Sequence, residues 1–113
     1  SLSNLVHADL RNTNFTDANA QAVDFSFTDL SGADFTDGIF GRSLFDSTNL
    51  SGAILSGAEF WNADFIDTDF SNADLSNAYF GSVSSIQGVL WDNTICPDGT
   101  NSDDNGNTCE NNL

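Results

Sequence analysis

Residues 65–80 read FIDTDFSNADLSNAYF, and their large apolar side chains recur every five positions. An amphipathic helix places apolar residues about every 3.6 positions, and a half-buried strand places them at every second position. A period of five fits neither element. The stretch therefore indicates a short unit that is repeated along the chain.

The same period extends from Leu5 to Phe80. Of the sixteen positions divisible by five in this range, fifteen are Phe or Leu, and the remaining one is Ala20. The residue two positions earlier is small, and the residue between the two is usually Asp or Asn. We expect the repeated Phe and Leu residues to form the core: Leu5, Leu10, Phe15, Phe25, Leu30, Phe35, Phe40, Phe45, Leu50, Leu55, Phe60, Phe65, Phe70, Leu75 and Phe80.

Each five-residue unit is predicted to be a short extended segment followed by a corner. Side chains two positions apart in extended backbone point the same way, so the large and the small residue face inward and the polar residue between them faces outward. The next two positions are mostly Ser, Thr, Gly, Asp or Asn, which favour turns. A unit this short cannot bury its own apolar residue, so the units must stack into a parallel β-solenoid.

The repeats resemble those of the pentapeptide-repeat family. The stretches ADLRN, ADFTD, ADFID, TDFSN and ADLSN match its pattern A-(D/N)-L-x-x, and the tandem units cover residues 3–82. The resemblance implies an all-β fold, a right-handed quadrilateral parallel β-helix with twenty residues per coil. About four coils at the ~4.8 Å strand spacing would give a rod about 20 Å tall. We expect two regions, the solenoid at 3–82 and a C-terminal cap and tail at 83–113.

The period weakens after Phe80, where position 85 is Ser85. A solenoid exposes its core and its strand edges unless its ends are covered. We therefore expect Leu90, Trp91 and Ile95 to plug the last coil.

The chain has two cysteines, Cys96 and Cys109, thirteen positions apart. Their spacing favours a disulfide, which would stabilise the cap by about 3 kcal/mol through loop-closure entropy. A two-thiolate metal site is the alternative, although the further ligands that zinc requires are not apparent. A disulfide would indicate an oxidising compartment. The tail also resembles those of exported cyanobacterial and thylakoid-lumen family members, which implies the periplasm or the thylakoid lumen rather than the cytoplasm.

Two further features of the chain bear on its processing and its tail. The sequence contains no Met, so we expect a processed product or an internal fragment. Four tail residues resemble the start of a calcium-binding loop, but the expected bidentate Glu is missing and an Asx-rich turn is the simpler interpretation. They are Asn101, Asp103, Asn105 and Gly106.

The charge excludes several classes of function. Seventeen Asp and Glu residues stand against Arg11 and Arg42, which gives a formal net charge of −15. Direct nucleic-acid binding and binding to an anionic membrane surface need cations and are not expected. No apolar run reaches the ~18–20 residues that span a bilayer.

We expect no enzyme activity, no cofactor and no metal site. His7 is the only histidine and is predicted to be solvated. Stacked carboxylates such as Asp9 and Asp29 could raise each other's pKa, but the repeat explains their presence without catalysis.

The outward positions predict an asymmetric rod. Residues twenty apart stack on one face, and two neighbouring faces carry mostly Ser, Thr, Gly and Asp. The other two carry apolar residues that form a candidate protein interface, for a partner or for self-association. These residues are Phe27, Ile39, Leu44, Trp61, Ile66 and Tyr79.

Two functions fit these observations. The first is a non-enzymatic, extracytoplasmic protein-binding or scaffold module. The second comes from the family resemblance, since some pentapeptide-repeat proteins mimic DNA and inhibit or protect the type II topoisomerase gyrase. Duplex DNA carries one charge per ~1.7 Å, so a rod of about 20 Å matches about twelve charges.

Overall fold

The computed structural model describes residues 3–82 and 85–113, and its chain winds into a parallel β-helix. Parallel bridges join outward residues twenty positions apart, such as Asp9 with Asp29 and Asp29 with Asn49. Twenty residues hold four five-residue units, so each turn of the helix has four corners. The principal-axis extents of 38, 24 and 24 Å describe a rod with two equal short dimensions.

The regular elements are short because each side of the coil is only a few residues wide. Strand β1 (Ser3–Asn4) pairs in parallel with β2 (Val23–Asp24), and β3 (Asp64–Ile66) pairs in parallel with β4 (Ser85–Gln87). Between residues 9 and 95 most other parallel contacts are single bridges. Two 3-10 helices, Ser102–Asp104 and Glu110–Asn112, lie in the tail. In the described part of the chain, no helix has the length and apolarity that crossing a membrane requires.

The corners explain why the unit has five residues. At most corners the backbone N–H three positions after the inward residue donates to that residue's carbonyl, as from Ala33 to Leu30, which closes a β-turn. The third residue of the turn has a positive φ, near 57° at both Asp37 and Asn62. Left-handed backbone favours Gly, Asn and Asp, which accounts for most residues at this position, although Ala22, Arg42 and Ser47 also adopt it.

Aromatic rings stack along the axis of the rod. The rings of Phe25 and Phe45 lie 5.1 Å apart between centroids and nearly parallel, and those of Phe45 and Phe65 repeat this geometry. From Phe25 to Phe80 every repeated Phe and Leu is at most 2% exposed. Buried Thr48 and Thr68 each donate a hydroxyl hydrogen bond to a carbonyl of the preceding coil, so their polar groups are satisfied.

The beginning of the core is less covered than expected. Leu10 and Phe15 are partly buried, and Leu5 is 36% exposed, so the prediction of Leu5 as a core residue is wrong. The described part of the chain packs a coil against only one side of Leu5.

The helix continues beyond Phe80 with one extra residue. The N–H of Phe60 donates to the carbonyl of Tyr79, nineteen positions on, whereas the N–H of Asn62 donates to Ser82, twenty positions on. From there bridges join residues twenty-one apart, the last parallel one between Asp74 and Ile95. Parallel pairing thus runs past the expected boundary between solenoid and cap. Residue 83, where the cap was expected to begin, lies outside the described residues.

This shift moves the inward column to Ile86, Trp91 and Cys96. Trp91 is buried, and its ring stacks 5.2 Å from that of Phe70. Leu90 is 53% exposed and Ile95 is also exposed, so the prediction that they plug the last coil is wrong. The extra residue turned both side chains outward and left Trp91 as the plug.

The favoured disulfide between Cys96 and Cys109 is present, and both sulfur-bearing residues are fully buried. It ties the tail to the end of the core. Thr94 and Ser102 strengthen this attachment, because the Thr94 N–H donates to the Ser102 hydroxyl and the Ser102 N–H donates to the Thr94 carbonyl.

Candidate interaction surface

An outward Asp or Asn stabilises most corners on the acidic half of the rod, where Ile54 is the exception within residues 9–76. Its side-chain oxygen accepts a hydrogen bond from the backbone N–H two positions later, at 2.9 Å from Thr36 to Asp34 and 3.0 Å from Ser51 to Asn49. Such Asx turns are a known way to stabilise a tight corner. Within residues 9–76, every outward Asp and Asn of these two faces makes this bond: Asp9, Asn14, Asp29, Asp34, Asn49, Asp69 and Asp74.

The other half of the rod lacks this side-chain hydrogen bond at several corners. Ile39 and Leu44 occupy the outward position and have no side-chain oxygen, and Tyr79 carries a phenol in place of the short Asp or Asn side chain. A hydrogen bond of this kind contributes about 1 kcal/mol. The sequence alone showed that the Asp or Asn was replaced, but the lost corner bond was missed.

The structure distributes the candidate interface residues over two adjacent faces and their corners. Tyr79 and Phe27 are the most exposed, at 58% and 57%. Ile39, Leu44, Trp61 and Ile66 are half-buried. We call these six residues the apolar surface.

Trp61 packs against the rod instead of extending into solvent. Its indole lies so close to Gly41 that a β-carbon there would come within 2.2 Å of the ring. The Arg42 guanidinium carbon lies 5.7 Å from the ring centroid, in cation–π range. Gly41 thus provides the space in which Trp61 covers the corner between the two faces.

Phe27 lies at the far edge of the apolar surface, at a left-handed corner position with a φ of 59°. This backbone disfavours a bulky side chain. The His7 ring, predicted to be solvated, is exposed but stacks on Phe27 with centroids 5.3 Å apart. The corner therefore holds an exposed aromatic pair.

Arg11 occupies the acidic half. Its guanidinium donates two 2.9 Å hydrogen bonds to Asp9 and lies 3.9 Å from an oxygen of Asp29. Hydrogen bonding from the Arg11 side chain lowers the pKa of Asp9 below its ordinary value. The expectation that stacking raises the pKa of this carboxyl was therefore wrong, because the Arg11 guanidinium binds it directly.

Three of the tail residues that resemble a calcium loop make hydrogen bonds within the tail. The Asn101 side chain accepts the N–H of Asp103, and the Asn105 amide donates to the Thr100 hydroxyl at 2.7 Å. Among the described residues, no three His, Cys, Asp or Glu side chains cluster so that they could hold a metal ion. A surface pocket of about 310 Å³ lies beside Trp91 and Asn107, and Asp92 is its titratable lining residue.

Comparison with known proteins identifies the repeats. A family model for pentapeptide repeats matches residues 1–37 and 43–81 in eight copies. The chain belongs to the pentapeptide-repeat family. This confirms the resemblance seen in the sequence. Proteins of this family are generally non-catalytic repeat scaffolds.

Solved structures place the fold among right-handed β-helices. A pentapeptide repeat protein from the Arabidopsis thaliana thylakoid lumen superposes with a TM-score of 0.52 at 16% identity, over 92% of this chain and 71% of that one. Rfr23, a pentapeptide repeat protein from the cyanobacterium Cyanothece 51142, superposes with a TM-score of 0.48 at 19% identity, over 80% of this chain and 88% of that one. QnrB1, a plasmid-mediated fluoroquinolone resistance protein, superposes with a TM-score of 0.41 at 24% identity, over 76% of this chain and 58% of that one. A comparison with curated proteins found no significant sequence match.

Proposed function

We propose that this chain is a non-enzymatic, acidic β-solenoid of about four coils with a disulfide-bearing cap, and that it binds a protein partner through the apolar surface. One observation carries the proposal. Leu44 stands one coil from Asp24, whose side chain accepts the Ser26 N–H, so the fold forgoes about 1 kcal/mol at this corner, and Ile39 and Tyr79 place apolar side chains on the neighbouring face. Residues that weaken the fold while adding exposed apolar area are typical of binding surfaces.

The cap supports a proposal for the compartment. A fully buried disulfide persists in oxidising environments and is rare in the cytosol. The disulfide supports an oxidising compartment, and we propose the periplasm or the thylakoid lumen. Counting free thiols in protein isolated from fractionated cells tests this assignment, since two free thiols in a cytosolic fraction would contradict it.

Site-specific photocrosslinking tests the binding surface. A photoreactive amino acid replaces Tyr79 on the apolar surface or, as a matched control, Ile54, an exposed apolar residue of the acidic half. In extracts of the source organism we expect a discrete crosslinked product from position 79 and none from position 54. Equal products from both positions, or none from position 79, would refute the proposed surface.

Two substitutions remove apolar side chains from the centre of the surface and replace them with a residue that the fold accepts at outward positions. Ile39→Asn and Leu44→Asn introduce the residue that Asn14 and Asn49 provide at equivalent corners. We expect the double variant to keep the β-helix by circular dichroism and to lose the partner, and the Ile54→Asn control to retain it.

A DNA-mimic function is the second candidate, favoured by the stacked carboxylates of the acidic half. Over the 38 Å long axis, duplex DNA would carry about 22 charges, more than the net −15 of this chain. The apolar surface further interrupts the negative charge. A gyrase supercoiling assay decides this question: inhibition at stoichiometric protein would support mimicry, and unchanged supercoiling would exclude it.

A further inference from the structure

The apolar surface has a defined charge pattern along the rod. Parallel bridges join Ile39 to Glu59 and Glu59 to Tyr79, so one ladder presents an apolar, an acidic and an apolar residue in succession. Glu59 is exposed and forms no ion pair within residues 3–82 and 85–113. A carboxylate between two apolar side chains fits a Lys or Arg whose aliphatic stem packs on its neighbours.

This pattern and the total charge argue against self-association. Two copies joined through this ladder would bring the Glu59 side chains together, with a formal charge of −15 on each chain. Like charges brought together at an interface are unfavourable. A cationic partner gains from both the local carboxylate and the long-range field.

The spacing between positions of the ladder favours a helix as the secondary structure of the partner. Neighbouring positions of the ladder lie about 4.8 Å apart, so Ile39 and Tyr79 are separated by about 9.6 Å. A helix parallel to the rod axis advances about 5.4 Å per turn and about 10.5 Å in seven residues. Side chains on one face of a strand repeat about every 6.7 Å, so a strand along the rod could not place successive side chains opposite ladder positions about 4.8 Å apart.

We propose that the apolar surface binds a basic amphipathic helix, which lies along the rod with apolar residues at positions i and i+7 against Ile39 and Tyr79. A Lys or Arg at i+3 or i+4 then meets Glu59. This inference rests on the proposed function, because it names the chemistry of the partner for the same surface.

Three helical peptides of about eighteen residues (five turns) test the inference. They share their apolar residues and carry Lys, Gln or Glu at the central contact position. In isothermal titration at low salt we expect the Lys peptide to bind about tenfold more tightly than the Glu peptide, and this difference to shrink as salt screens the pair. Amide chemical shifts should change around residues 39, 59 and 79.

A protein variant isolates the contact. Glu59→Gln should remove most of the preference for Lys over Gln while leaving the affinity for the Gln peptide nearly unchanged. Asp74→Asn is the matched control, because it removes one charge from the acidic half and keeps an acceptor for the corner hydrogen bond. It should leave the preference intact.

Several results would overturn the inference: equal affinity for the three peptides, shifts confined to the acidic half, or no binding of the Lys peptide up to about 1 mM. Its failure can be told apart from failure of the proposed function. If position 79 still crosslinks a partner whose contact segment is not a basic helix, the surface stands and only the helix is wrong. If position 79 crosslinks nothing, both are wrong.

Discussion

Loss of the Cys96–Cys109 disulfide is expected to release the cap before the coils unfold. The bond closes a loop with a sequence separation of thirteen, for which chain entropy gives about 3 kcal/mol of stabilisation. If all 113 residues unfolded together, this would lower the melting temperature by about 13 °C. A smaller cooperative unit has a smaller unfolding entropy, so a cap that melts alone should shift further. Separate melting is expected because each coil contacts only its neighbours.

The two tryptophans report on different parts of the rod. Trp91 stacks on Phe70 at the cap, and Trp61 lies on Gly41. A Trp61→Phe variant therefore isolates the cap signal, and a Trp91→Phe variant isolates the signal from the coils. Because both cysteines are fully buried, reduction requires unfolding followed by refolding in reductant. A double Cys→Ala variant serves as the equivalent without reductant.

In the reduced protein, the midpoint temperature of the Trp91 fluorescence transition should decrease by more than about 10 °C. This estimate follows from the loss of loop-closure entropy and from the unfolding entropy given above. The Trp61 transition and the far-ultraviolet circular dichroism transition should move less. Coincident transitions for the two tryptophans would refute a separately melting cap, and an unchanged Trp91 transition would refute the stabilisation itself.

Further substitutions test the core, the corners and the carboxylates. Phe60→Ala should lower the free energy of unfolding in urea by about 3–5 kcal/mol, because the ring is fully buried among four others, and Phe15→Ala at the open end should cost less. Asn49→Leu removes a corner hydrogen bond and should cost about 1 kcal/mol by the same measurement, so an unchanged stability would remove the basis for the proposed surface. The Thr36 hydroxyl and N–H lower the pKa of Asp34, so this carboxylate stabilises the fold above its unfolded pKa of about 3.9 and loses that contribution as the pH falls through its lower folded pKa. Thr36→Val should raise the folded pKa of Asp34 in a carboxyl-carbon NMR titration, and an unchanged midpoint would contradict the assigned cause.

The five-residue period was sufficient to predict the repeated core, because inward and outward positions follow directly from backbone geometry. It failed at the cap because a single extra residue near Gly81 changes which positions face inward. The column Ile86, Trp91 and Cys96 keeps the spacing of five, so the sequence did contain the signal, one position out of phase. The packing of Trp61 on Gly41 could not be predicted, since it depends on the height of one coil above the next.

The corner turns have a consequence for how such a surface can change. Most corners close through a backbone hydrogen bond between neighbouring units of the same coil, and the inward column supplies the core, so an outward residue can be exchanged at the cost of at most one local bond. Along each face, outward positions therefore recur about every 4.8 Å, and each can carry a charged, aromatic or aliphatic side chain independently of its neighbours. A substitution at Glu59 would change the chemistry of one surface position and leave the spacing between coils unchanged.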